Sequence, residues 1–446
     1  MNIINRYRFL LLLGAIFLSL TRCGASNTPS EIEPPVNIKG NEWVIYEVNP
    51  GLFKQKEVFK GITSRLDEIK SMGVNVIWLM PIYEQGELHA FGSPYCVKDY
   101  KKVNENYGSL TELKSLVSSA QAKQMKVILD WVANHTSWDN AWIQNKAWYT
   151  QNAGGDIVSP PGMNWNDVAD LNFSNSDMRK EMINAMKYWV TEAGIDGYRC
   201  DYAEGVPLNF WEEAIKELRD LKQGELIMLA EGGEAALFSV DFDLVYGWDF
   251  AYRLQDVYTG KINLKALYES HQKEYQGVPA GKQRMRYTTN HDMASENSPI
   301  QVYKGEKGAI SAFVIASTMG GTPMIYSSQE IGYPTPLTFF THSIIDWDSN
   351  PDYTSEYKSI MRIYANSEAL KEGTLRTYDT GNVASYLRKS QNEEVLIMVN
   401  TTDQPIEVKV PIEFSHKQVK NLSDNSSETL PTVLELKPFQ YKIWKI

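Results

Sequence analysis

Residues 194–206 read GIDGYRCDYAEGV, and the alternation within them decides how the rest of the chain is read. Side chains on a β-strand point to opposite faces in turn, so Gly197, Arg199 and Asp201 share one face and Tyr198 and Cys200 the other. A buried strand carries two charges on one face only when they are paired, because an unpaired charge out of water is costly. The segment therefore predicts a buried strand whose carboxyl end delivers an ion pair.

Seven other β-rich runs flank it: VIYEVNP (44–50), NVIWLMP (75–81), KVILDWVANH (126–135), LIMLAE (226–231), FDLVYGW (242–248), RYTTNHD (286–292) and TPMIYSSQ (322–329). Amphipathic stretches such as TELKSLVSSAQAKQ (111–124) and SDMRKEMINAMKYWVTEA (176–193) lie between them. Eight strand–helix units predict an α/β fold, a closed (β/α)₈ TIM barrel over residues 41–373, although a doubly wound sheet fits the same alternation. Residues 136–174 are too long and irregular for a plain connection and predict a domain inserted after strand three. From 374 to 446, runs such as VASYLRKS and EVLIMVN alternate without helices. They predict a carboxyl-terminal antiparallel β-sandwich domain.

The bulk numbers agree with a large packed enzyme. The chain has 446 residues, 43% of them hydrophobic and 12% aromatic, which is ample for a core. Its net charge of −11 argues against nucleic acid as a partner. Walker, Rossmann and zinc-protease signatures are absent, so the chemistry requires no nucleotide, nicotinamide or zinc cofactor. Beyond Cys23 only Cys96 and Cys200 remain, so no disulfide framework is implied.

The amino terminus has an export pattern. Arg6 and Arg8 precede FLLLLGAIFLSL, long enough for a secretory core and short for a membrane span. Residues 1–22 then form a signal peptide and 23–40 a polar, Pro-containing tether. LSLTRC (18–23) resembles a bacterial lipobox, with Arg22 where a small residue is usual. The expectation is a secreted protein anchored by lipid on Cys23 in the outer membrane, with a periplasmic location or simple cleavage before Ser26 as alternatives.

Polar residues cluster where strands end, the rim at which barrel enzymes gather their chemistry. The third run leads into Asp130, Asn134 and His135, the fourth into Arg199 and Asp201, the fifth into Glu231, and the seventh into Asn290, His291 and Asp292. Carboxylates converging in one pocket repel, which forces their pKa values apart. Arg199, on the face of Asp201, is expected to keep that acid ionised while a less supported acid keeps its proton. One charged and one protonated carboxyl is the requirement of retaining glycoside hydrolysis. Glu234 is a rival for Glu231, but LIMLAE ends at Glu231 and leaves Glu234 in the loop.

DWVANH, GYRCD, LAE and TNHD, in this order, resemble the four conserved regions of the alpha-amylase family of glycoside hydrolases. SPYCVKDYKKVNENYGS (93–109) and VADLNFSN (168–175) are similar to further stretches of that family. The resemblance implies a retaining hydrolase of α-1,4 bonds in starch-like glucans or maltooligosaccharides, a 4-α-glucanotransferase being the nearest alternative and a non-catalytic glucan-binding protein the other. It implies Asp201 as nucleophile, Glu231 as general acid and base, and Asp292 as a transition-state stabiliser. It also implies that Arg199 orients Asp201, that His135 and His291 donate to sugar hydroxyls, that Tyr95 stacks on the sugar, and that Asp130 supports the site. A structural calcium is implied through Asn134 and Asp170, with ordinary loop hydrogen bonding as the alternative for both. Gly205 stands where many relatives have a histidine, and Glu204 departs from the lysine beside it, so acceptor preference is not inherited. Trp138, Trp142, Trp148 and Trp165 are candidate glucan platforms in the insert, with core packing the alternative.

Overall fold

The computed structural model describes residues 42–446 apart from Gly224; the signal peptide, lipobox and tether lie outside the described residues. Eight parallel strands close into a barrel: β1 (Ile45–Val48), β2 (Val76–Leu79), β3 (Lys126–Val132), β4 (Gly197–Asp201), β5 (Ile227–Ala230), β6 (Leu244–Tyr246), β7 (Gln283–Arg286) and β8 (Thr322–Tyr326). Each run read as a strand supplies one, and β8 pairs back onto β1 through Ile45↔Met324. The doubly wound alternative falls because the sheet has no open edge.

The two-residue period sorts the side chains radially. Ile45, Val76, Ile128, Ile227, Leu244, Met285 and Met324 fill the lumen. Their sequence neighbours Tyr46, Ile77, Val127, Met228, Val245 and Ile325 join the shell under the helices. Tyr198 and Cys200 belong to that outer shell, as the alternation required. Gly197 is needed for closeness: a Cβ there would meet the Ile227 carbonyl oxygen at 1.9 Å. One inward step further along β1, β3 and β4 the lumen turns polar, at Glu47, Asp130 and Arg199, all fully buried, whereas Trp78 and Leu229 keep it apolar on β2 and β5. The floor is apolar and the rim charged.

The helices of the shell carry local start signals. α1 (Val58–Ser71) precedes α2 (Leu110–Ala122), where Ser109 and Glu112 form a reciprocal capping box and Leu113, Leu116, Val117 and Ala120 make the buried stripe. α3 (Ser176–Glu192) starts at Asn175, whose side chain accepts from the N–H groups of Asp177 and Met178. The inserted segment between β3 and α3 is tied by a two-stranded ribbon, His135–Ser137 against Val168–Asp170.

The seventh run was placed too late in the chain, sharing only Arg286 with the strand. β7 stops at Arg286, and Asn290 caps a short helix, His291–Glu296, by accepting from the N–H of Met293. Asn290, His291 and Asp292 thus sit on a helix start above the barrel. The carboxyl-terminal region forms a six-stranded sheet with a separate two-stranded ribbon, Ile406–Lys409 against Val433–Leu436. Leu387, Leu396 and Met398 face that ribbon, whereas Tyr386, Val395 and Ile397 face the barrel side. Among the described residues no helix is long and apolar enough to cross a membrane.

Candidate active site

The strand register places Asp130 of β3 opposite Arg199 of β4. Alternation turns both inward, and Nη1 of Arg199 donates to Oδ1 of Asp130 at 2.8 Å. The same nitrogen donates to Oδ1 of Asp201 at 2.9 Å. Nη2 lies 2.8 Å from Oε1 of Glu231, at an angle that makes an ion pair rather than a hydrogen bond. One guanidinium therefore serves three carboxylates from three adjacent strands. Its Nε donates to the Tyr246 hydroxyl at 3.2 Å, and its plane lies near the rings of Trp78, Tyr95 and Tyr246.

The structure changes two expectations about the acids. Arg199 is not the private partner of Asp201, since it touches Glu231 as well. The trio on the arginine is Asp130, Asp201 and Glu231, while Asp292 stands outside it with its side chain 48% exposed. Burial, followed by the Glu231 charge, pushes the Asp201 carboxyl well above the usual carboxylate range, with Arg199 pulling it back. Asp130 is also pushed up by burial and drawn down by Arg199 and His291. Asp130 and Asp201, buried around one fixed cation, therefore hold a proton more readily than isolated carboxyls do.

Glu231 is held from two sides. Its Oε2 accepts from the N–H of Tyr202 at 2.6 Å, and its backbone N–H donates to the Cys200 carbonyl. Tyr202 is in the left-handed region, φ 41°, which turns that N–H toward Glu231. Glu234 is exposed and caps the next turn, so it does not compete with Glu231. Glu204 accepts from the N–H groups of Gly233 and Glu234, at 2.6 and 2.9 Å. This departure from the family pattern fastens the loop that follows Glu231.

The two histidines have different surroundings. His135 is buried, and that burial pushes its imidazole down to about 4, so it is a neutral ring. It meets Trp165 edge-on at 5.5 Å, and Trp165 in turn meets Tyr202 at 5.2 Å. Of the four tryptophans, Trp165 contacts His135 and Tyr202; Trp142 packs on Tyr100 and Trp148, and Trp138 hydrogen-bonds the Asn166 carbonyl. His291 stacks on Tyr95, with ring centroids 5.4 Å apart, and its Nε2 is 2.8 Å from the Tyr95 hydroxyl. Tyr95 also donates to Oδ2 of Asp130 at 3.2 Å, which joins the histidine to the arginine cluster.

Several residues in this assembly escaped the sequence reading. Glu47, Trp78, Tyr246 and Phe339 all contact it. Glu47 carried a usable signal, an acid inside the apolar run VIYEV. Trp78 and Tyr246 carried none, because an aromatic in a strand reads as core.

Asn134 and Asp170 line a cavity of about 600 Å³ together with Gly205. They are neighbours through the ribbon, where Leu171 N–H donates to the Asn134 carbonyl. Oxygen donors of this kind suit calcium chemically. Burial pushes the Asp170 carboxyl up, and Arg179 and Lys180 border the same cavity. Among the described residues no group of three or more His, Cys, Asp or Glu side chains converges. The cavity thus offers the Asp170 carboxyl and the Asn134 amide oxygen beside two basic side chains.

The profile of the alpha-amylase catalytic domain matches residues 54–159 and 162–409. Alpha-amylase 2 of Dictyoglomus thermophilum is 27% identical over 372 residues, covering 77% of this chain and 64% of the relative. Alpha-amylase MalA of Haloarcula japonica is 24% identical, covering 82% of this chain and 56% of its own length. The chain thus spans about three-fifths of these relatives. A crystal structure of a maltogenic alpha-amylase from Thermotoga neapolitana superimposes with a TM-score of 0.83 at 25% identity, covering 92% of this chain and 99% of that one. The alpha-amylase from Lactobacillus plantarum gives 0.82 at 26%, covering 91% and 99%. Matched over most of its length, and carrying acids on a barrel rim, the chain belongs to the alpha-amylase family of glycan-active enzymes.

Proposed function

We propose that the chain is a retaining α-glucan hydrolase that cleaves α-1,4-glucosidic bonds of starch or maltooligosaccharides through a covalent glycosyl-enzyme. The observation that carries this is the shared guanidinium, which holds the carboxyls of Asp201 and Glu231 through its two terminal nitrogens. In the first step Asp201 attacks the anomeric carbon while Glu231, turning an oxygen away from the Tyr202 N–H, protonates the departing glycosidic oxygen. In the second step Glu231 takes a proton from water, which attacks the same carbon and releases Asp201. Asp292, open at the rim, stabilises positive charge developing on the sugar ring. Tyr95 stacks on that ring, and His135 and His291 donate to its hydroxyls. The names of the relatives support an α-glucan, since they are alpha-amylases, cyclomaltodextrinases and an amylopullulanase.

Glu231→Gln tests the proposal. Turnover of maltoheptaose should fall by about 10²–10⁴-fold, the usual worth of a general acid, with glucan binding by calorimetry largely kept. Proton NMR of the first wild-type product should show the α-anomer. A β-anomer, or a glutamine variant with full activity, would overturn the assignment. Products longer than maltoheptaose would move the reading to a 4-α-glucanotransferase.

A calcium ion held by Asn134, Asp170 and the Gly205 carbonyl belongs to the same proposal, as a clamp between insert and barrel. Chelation should lower the melting temperature by about 2–5 °C, reversed by added calcium. No shift in either direction would remove calcium from the proposal. Export and lipidation at Cys23 are carried as a proposal on the amino-terminal sequence alone.

A further inference from the structure

Glu47 lies on β1, fully buried, and no glucan contact is needed to explain why it is there. Its Oε1 is 2.5 Å from Nδ1 of His291, a contact between residues 244 positions apart. Its other oxygen, Oε2, is buried without a hydrogen-bond partner. A buried acid with one unsatisfied oxygen is expensive to keep, so it calls for a role. We propose that Glu47 is a positioning residue whose carboxylate holds His291 as a double N–H donor, with the Nε2 proton directed at Tyr95 and the sugar pocket.

The hydrogen-bond inventory supports the assignment. Tyr95 has one hydroxyl proton and two polar neighbours, Oδ2 of Asp130 at 3.2 Å and Nε2 of His291 at 2.8 Å. Asp130 already receives Arg199 on Oδ1 and the Trp78 indole N–H on Oδ2, both of them donors only. It is therefore placed as an acceptor, and the Tyr95 proton goes to it. Nε2 must then donate to the Tyr95 oxygen, while Nδ1 donates to Glu47. Both ring nitrogens carry protons, and the imidazole is a cation.

The charges around the ring act in the same direction. Asp292 on its own helix and Glu47 on β1 raise its affinity for a proton; burial and Arg199 on β4 oppose them. Asp130 on β3 and Asp201 on β4 also feel the His291 charge, the Tyr95 hydroxyl touches the ring, and the Tyr326 phenol feels Glu47 and Asp292. The outcome for His291 is a shift up to about 9. Burial pushes Glu47 up as well, with His291 pulling it down, so the pair holds its proton in a short bond between them. His291 thus becomes a second cation beside Arg199. A neutral His135 and a charged His291 then present different donors to the same sugar.

Glu47→Gln tests this, and it rests on the proposed function only for the choice of substrate. The first reading is the titration of the His291 imidazole by NMR without any glucan, its resonance identified by loss in His291→Asn. Wild type should keep both ring nitrogens protonated to about pH 8, and the glutamine variant should titrate below about 6.5, the ordinary histidine value. A neutral His291 tautomer in wild type at about pH 7, or an unchanged midpoint in the variant, would overturn the proposal. The second reading is the variant-to-wild-type ratio of kcat/KM on maltoheptaose. Near pH 5.5 the ratio should approach one; near pH 8 the protonated fraction falls roughly thirtyfold and kcat/KM by at least about tenfold. A loss by the same factor at every pH would make Glu47 merely structural. Glu47→Asp, which keeps the charge, should leave the ratio independent of pH.

Discussion

Asp201→Asn should abolish turnover, by about 10⁴-fold or more in kcat, while leaving the protein as stable as wild type or more so. The two halves of this result have one cause. Asp201 is nearly buried, shares Arg199 with Asp130 and Glu231, and has its carboxyl pushed upward by burial and by the Glu231 charge. An amide keeps the shape of the site but cannot form the glycosyl ester of the proposed mechanism, so on that proposal catalysis loses its nucleophile. It also removes one crowded charge, and Arg199 retains Asp130 and Glu231 as partners. The sign of the pH effect follows. With its folded pKa raised, Asp201 binds its proton more tightly when folded, and its contribution to stability is lost as pH rises from the unfolded value of about 3.9 through the folded one. The variant should therefore match wild type below about pH 4 and be the more stable near neutrality. Urea denaturation at several pH values checks this, and a markedly destabilised variant at neutral pH would contradict the crowding argument.

Arg199→Met should have the opposite signature, with activity and stability lost together. The side chain is fully buried at the crossing of three acids, one of which, Asp130, is itself fully buried. Methionine fills much of the space and leaves those carboxylates without the guanidinium that bridges them, a change that costs about 3–5 kcal/mol when one side of a buried pair is removed. The acids must then take up protons, and kcat should fall by about 10³-fold or more. Arg199→Lys should recover part of the stability and little of the activity. A single ammonium cannot reach Asp130, Asp201 and Glu231 at once, as the planar fork does. Wild-type unfolding free energy in the methionine variant would show that the arginine does not balance the cluster.

Together the two variants separate roles that the sequence had merged. From GYRCD, a cation two residues from an acid reads as a private pair. The structure instead makes Arg199 a common support, because the neighbouring strands bring Asp130 and Glu231 to the same guanidinium. The reading of RYTTNHD failed for a local reason. Its threonines and tyrosine have strand propensity, but the Asn290 side chain caps the Met293 N–H and starts a helix in its place. TNHD stayed recognisable as a motif, although its geometry was misplaced.

The sequence by itself determined the strand–helix alternation, the insert and the carboxyl-terminal β region, because period-two and helical hydrophobic patterns are local properties that each segment carries alone. Closure of the sheet into a barrel was decided by the tertiary structure. It also located the polar rim, since charges at the ends of apolar strands are conspicuous wherever they occur. Only the tertiary structure decided which charges meet: Arg199 with three acids, Tyr95 with a histidine 196 residues away, and Glu47 with that same histidine from the opposite end of the chain. Alternation states whether a side chain points into the lumen, but closure of the barrel sets what stands across from it. Partners across the axis are chosen by register and curvature, which no short stretch of residues contains.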